Sequence, residues 1–326
     1  MKPAASVILL TTLIGAGQGL FLALFTHQSH ALFGLARQSA GAALYGAGSL
    51  LAAALLAAGL IASFFHLGRP ERAWRTAAQW RTSWLSREVI VLPAFMATVL
   101  LYAATFLGAP NPEVLRLPGG AGLDASVAIG IAGTALAFAL FVCTGMIYAC
   151  VRFLKEWHTP LTVANYVLLG AASGFAIAAL LAAATAPAAA PFFAAWALAL
   201  TLAAFVSRGA SLVRNARLRP TSTLATAIGV RHPRIVQVSQ GFTAGSFNTR
   251  EFFHGRDAAF LRSVKWIFLA LAFALPAAAF VAYLASGATV ALAIAVASQA
   301  AGLIAERWFF FAEANHPQNL YYQAVA

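Results

Sequence analysis

The sequence predicts an all-α integral membrane protein, a single domain built as a bundle of eight transmembrane helices, and three observations carry that prediction. The 326 residues are 61% hydrophobic and only 9% charged, with a mean hydropathy of +0.80; soluble domains carry about 25% charged residues. Uncharged apolar stretches long enough to cross about 30 Å of hydrocarbon recur along the whole chain. The net charge of +12 lies almost entirely between those stretches, a pattern that membrane topology explains and nucleic-acid binding does not.

The first stretch, 7–25, follows Lys2. Small residues at Gly15, Ala16 and Gly17 would suit a cleaved secretory signal, but apolar character continues to Phe25, longer than a usual signal core, so a retained helix is expected. No twin-arginine pair or lipidation motif precedes it. Stretches 41–65, 89–108 and 125–151 follow, separated by polar loops. The charge-free run from Leu161 to Ser207 is too long for one span, and Pro187 and Pro191 divide it into 162–184 and 189–206. A similar run from Trp266 to Ala305 breaks at Ser286-Gly287, which leaves 266–285 and 289–308.

Eight crossings put both termini and loops 66–88, 152–160 and 207–265 on one side, with loops 26–40, 109–124 and 185–188 opposite. Lys and Arg then divide 19 against 2, and acidic residues 7 against 2, so one face carries the whole charge excess. The positive-inside rule places that face, with the N- and C-termini, in the cytoplasm. Glycines such as Gly41, Gly46, Gly48 and Gly59 are read as packing residues that let helices approach closely.

Cys143 and Cys150 are the two cysteines, too few for a disulfide framework, a Cys-rich zinc site or a four-thiolate iron-sulfur centre. The histidines are His27, His30, His66, His158, His232, His254 and His316, none in the middle of a span. Haem held between helices is therefore not expected, and neither is a pump or solute transporter, which calls for mid-membrane carboxylates or paired broken helices.

Ionisable groups at the hydrocarbon boundary are the informative ones, because a charge there is costly unless it is used. One such place joins Phe64 to Pro70, at the end of the second span, to Arg81 through Glu88, at the start of the third. His66 and Glu88 sit at the same end of consecutive antiparallel helices. A histidine titrating near neutrality and a partly desolvated carboxylate would suit the carbonyl oxygens and proton traffic of a quinone head group. The same spacing also allows a structural pair, with His66 capping its helix and Glu88 bound to Arg87 or Arg69. The second place is Glu306 to Glu313, two carboxylates on one helix face separated by aromatics, as anchoring of the last helix at the interface would produce. Segment 207–265 carries ten basic and two acidic residues with interleaved aromatics and reads as a docking surface, for anionic lipid or for a protein partner.

At these residues the chain resembles the membrane-anchor subunit family of dimethyl sulfoxide reductase, over nearly all of its length. The matching pieces are the histidine-leucine-glycine stretch at 65–70, Arg81 to Glu88, Met146 to Thr162 with Glu156-Trp157-His158-Thr159-Pro160, and Glu306 to Ala314. The resemblance implies a subunit without its own metal, bound to an iron-sulfur electron-transfer subunit that is bound in turn to a molybdenum bis-pterin catalytic subunit, in a bacterial inner membrane. It also implies that His66 and Glu88 bind quinone, ubiquinone or menaquinone, with Arg69, Trp84, Ser86 and Arg87 lining the site or holding Glu88 ionised. The long 207–265 segment, with Ser246 to Phe253, is more similar to the anchors of cytoplasmic sulfite-oxidising complexes of that family. Electron transfer from sulfite to quinone is therefore the expectation. The alternatives are a quinol-oxidising anchor of a dimethyl sulfoxide reductase and a structural anchor without a quinone site.

Overall fold

The computed structural model describes residues 1–35, 41–116, 122–220, 222–239 and 247–322. Among these, eight helices are long and apolar enough to cross a membrane. They are α1 (Ala5–Leu32), α2 (Ala42–Phe64), α3 (Trp84–Phe106), α4 (Ala125–Ala149), α5 (Pro160–Thr185), α6 (Ala190–Ala216), α7 (Ala258–Ser286) and α8 (Thr289–Glu313). A short antiparallel pair, β1 (Glu113–Arg116) and β2 (Gly122–Asp124), closes the connection between α3 and α4.

Several helices run beyond the uncharged stretches that announce them, because a helix ends at a cap and not at its first charge. Ser83 accepts a hydrogen bond from the Ser86 amide, so α3 starts a turn before Val89. Asp257 likewise accepts from the Phe260 amide and starts α7 well before Trp266. Helix α6 continues to Ala216 and carries Arg208 and Arg214 with it. Within α7, residues Ala270–Ala274 widen into a π-turn just before Pro276, whose ring cannot accept an ordinary helical neighbour.

Helices α1 and α5 form the centre of the bundle and are its most buried spans. Helices α2 and α4 pack on α1, α3 bridges α2 and α4, α6 lies along α5, and α7 and α8 close the far side against α5 and α6. The contact between α1 and α5 rests on glycine: a Cβ at Gly174 would stand 1.9 Å from the Gly19 carbonyl carbon, and one at Gly19 would stand 2.0 Å from the Gly170 oxygen. Backbone touches backbone there, so neither side has a flexible group that can yield. Gly174→Ala is expected to push the helices apart and cost about 1–3 kcal/mol, seen as a lowered thermal midpoint in detergent. A midpoint equal to the parent's would mean that the two helices are free to slide.

One end of the bundle holds both termini. The Met1 ammonium donates to the Ala314 carbonyl at 2.7 Å, which joins the start of α1 to the end of α8. The opposite end is tied by Tyr102 donating to Gln28, Gln28 to Ser126, and His27 bonded to Tyr45. Phe21, Phe95, Phe141 and Phe193 fill the core between the two ends.

Candidate functional site

The matching motifs meet at the end that holds the termini. Trp157 donates through its indole to the Phe310 carbonyl at 2.9 Å, and both pack with Ile8, Leu154, Tyr166 and Phe311 in one aromatic cluster. Thr159 caps α5 ahead of Pro160, while Thr162 donates back to the Trp157 carbonyl. The Glu-Trp-His-Thr-Pro segment thus locks the start of α5 against the end of α8.

Glu88 lies about 6 Å into α3 from Trp84. It shares a face with the buried residues Leu92, Phe95, Val99 and Tyr102, at alternating spacings of four and three, so it turns inward. Its carboxylate accepts a hydrogen bond from Thr144 of α4. Beyond Thr144 it borders a cavity of about 10 Å³, room for the centre of one water molecule, shared with Thr11, Gln18 and Tyr166. Arg87, one residue earlier, points the other way: it stacks on Trp84 at 4.2 Å and donates to the carbonyls of Trp80 and Arg81. Its guanidinium ties the turn ahead of α3 and does not pair with Glu88. Ser86 is buried, and Trp84 is half-buried.

His66 and Arg69 lie on the exposed segment after α2, which continues as a 3-10 helix over Pro70–Gln79. Partial desolvation lowers the His66 imidazole from the usual histidine pKa, which favours its neutral form at pH 7. Among the described residues no hydrogen bond or ion pair joins His66 or Arg69 to Glu88. Trp84, Ser86, Arg87 and Glu88 therefore form one helical turn, while His66 and Arg69 stand on the connection at the same end. Exposed Phe65, Leu67, Trp74, Trp80 and Leu85 surround that connection with apolar surface. The polar side chains of this turn and connection are donors and acceptors of the kinds a quinone head group would need. The internal cavity behind Glu88 is water-sized and takes no ring. No group of three or more His, Cys, Asp and Glu side chains is placed to hold a metal among the described residues.

A second polar group lies at the same end, where sequence reading expects interfacial anchoring. Glu306 is 0% exposed, Arg208 2% and Arg307 4%. Arg208 Nε meets Glu306 Oε1 at 2.7 Å, Arg307 pairs with the other carboxylate oxygen, and Arg208 also reaches Glu313 at 3.7 Å. Arg307 lies over the Tyr166 ring at 4.3 Å, and the Tyr166 and Tyr148 rings stack at 5.7 Å. Glu306 thus serves two guanidiniums inside the protein, and Arg208, which the sequence groups with the docking segment, belongs to the interior. Thr144, Tyr166 and Arg208 carried no signal in the sequence, because a hydroxyl in an apolar helix, or a charge at the edge of one, has many ordinary uses.

Comparison with known proteins adds two findings. The family model described as DMSO reductase anchor subunit (DmsC) matches residues 1–312. A sulfite dehydrogenase subunit of Allochromatium vinosum is 54% identical over 327 residues, covering 100% of both chains.

Proposed function

The chain belongs to the DMSO reductase anchor subunit family, and from that premise we propose that it is the quinone-reactive membrane anchor of a sulfite-oxidising complex. Glu88 carries the quinone reading: a buried carboxylate just inside the apolar region, hydrogen-bonded to Thr144 and next to an exposed apolar connection that bears His66. The direction is supported by the full-length likeness to a sulfite dehydrogenase subunit. In this reading the end that holds the termini faces the cytoplasm of a bacterial inner membrane, as the charge distribution favours. The connections between α2 and α3, between α4 and α5 and between α6 and α7 dock an iron-sulfur subunit, which receives electrons from a molybdenum bis-pterin subunit.

Sulfite and water yield sulfate, two protons and two electrons at the catalytic subunit. The quinone, ubiquinone or menaquinone, takes up two electrons and two protons beside α3. Glu88 supplies a proton and a hydrogen bond, and neutral His66 offers one ring nitrogen as donor and one as acceptor. Arg69, Trp84, Ser86 and Arg87 shape the approach, Arg87 by holding the turn on which Glu88 is mounted.

The test is purification of the tagged chain with its native partners, followed by assays of sulfite-dependent quinone reduction and quinol-dependent sulfoxide reduction. Sulfite activity is expected. Sulfoxide reduction alone would reverse the direction, and neither activity in a preparation lacking molybdenum and iron would defeat the proposal. His66→Gln should assemble normally and lower quinone turnover by about 10-fold or more; turnover at the parental rate would remove His66 from the site.

A further inference from the structure

Glu88 stands between the exposed connection after α2 and the interior of the bundle. Its outer neighbour Arg87 is committed to backbone carbonyls, and one of its own carboxylate oxygens accepts from Thr144. The space that it borders leads inward. That cavity shares Thr11, Gly15 and Tyr166 with a second, of about 20 Å³, which is also lined by Thr12, Ser173 and Arg307. Two buried hydroxyls stand on these walls: Thr12 Oγ1, which makes no hydrogen bond among the described residues, and Tyr166 Oη, which lies within reach of Arg307 and Tyr148. A buried hydroxyl without a partner is costly, and these spaces, mostly apolar but with hydroxyls, Gln18, Glu88 and Arg307 on their walls, give an ordered water polar groups to bind. From Arg307 the polar path continues through Glu306 and Arg208 to Glu313, which is 18% exposed where α8 ends.

Resting on the quinone reading above, we propose that Glu88 exchanges its proton through the interior. The route runs over water in the two cavities, past the Tyr166 and Thr12 hydroxyls and the Arg307–Glu306 pair, and emerges at Glu313. Each proton that Glu88 gives up at the quinone is replaced by one taken from solvent at the end that holds the termini. No electron travels this way, since electrons enter from the iron-sulfur partner. Glu306 and Glu313 also set the charge along the path: together they balance two arginines that would otherwise repel a passing proton.

Tyr166→Phe tests this, because it keeps the ring under Arg307 and removes only the hydroxyl. In the intact complex kcat for quinone reduction should fall about 10-fold while KM for quinone holds, and the deuterium solvent isotope effect on kcat should rise. A role in packing alone would leave the isotope effect where it was. Thr12→Val, which removes the other hydroxyl, should behave alike and carries the test if Tyr166→Phe does not assemble. Parental kcat and isotope effect in both variants, beside an inactive Glu88→Gln, would retire the interior route and leave the quinone site standing. An active Glu88→Gln would retire the quinone site and the route with it.

Discussion

Replacing Glu88 with Gln is expected to lower sulfite-dependent quinone reduction by at least about 100-fold, within the range that a positioned acid or base contributes, while the complex assembles as before. The amide oxygen of Gln still accepts the Thr144 hydroxyl, so the local packing around the bond seen in the structure survives. What is lost is a group able to take up and release a proton. Quinone turnover in purified complex, alongside its elution on gel filtration, checks both halves of the expectation. Turnover near the parental rate would leave this chain as a structural anchor, and loss of assembly would make Glu88 a packing residue. Thr144→Val supplies a graded comparison: the carboxylate remains but loses its hydrogen-bond donor, so a smaller loss is expected.

Glu306→Ala is expected to be the most destabilising single change in the chain. Two guanidiniums, Arg208 and Arg307, would lose the carboxylate between them in a region closed to bulk solvent. Breaking one side of a buried ion pair costs about 3–5 kcal/mol, chiefly because the remaining charge has no counterpart. The consequence is a sharp fall in folded, monodisperse protein extracted in mild detergent, and a lowered thermal midpoint for what remains. Replacing the three buried members together, Arg208→Met, Glu306→Leu and Arg307→Met, should recover much of the loss, since only Glu313, which is 18% exposed, then remains charged. A Glu306→Ala protein as stable as its parent would mean that the cluster is open to bulk solvent in the folded state.

The bundle was legible because burial in lipid demands what a sequence displays openly. Uncharged runs of sufficient length, prolines at 187 and 191 and the Ser286-Gly287 break mark off eight helices, and eight are present among the described residues. Helix ends were less legible: uncharged runs stop at the first charge, whereas Ser83 and Asp257 set the starts of α3 and α7 by capping. Glu88 could be singled out from its position at the hydrocarbon boundary, and its spacing to Leu92, Phe95, Val99 and Tyr102 already marks an inward face. Its partner could not. Thr144 is 56 residues away, one hydroxyl among many.

The same division explains the second polar group. Glu306, Arg307 and Glu313 are visible in the sequence, and aromatics between them gave an ordinary reading as an interfacial belt. That reading needs solvent around the charges. Only the packing of α6 and α5 against α8, which brings Arg208 to one side of Glu306 and sets Tyr166 beneath Arg307, encloses them.

By itself, then, the sequence determined the class of protein, the number of spans and the end of the bundle where charge collects, because hydropathy and charge are properties of each residue taken alone. The tertiary structure decided which boundary charges are buried and with what they pair: Glu88 with Thr144, Glu306 with two arginines, Tyr166 between two cavities. Those are properties of contacts between helices distant along the chain. In this bundle they depend on glycines that bring α1 and α5 together backbone to backbone, so that a few polar groups are held inside an otherwise apolar interior.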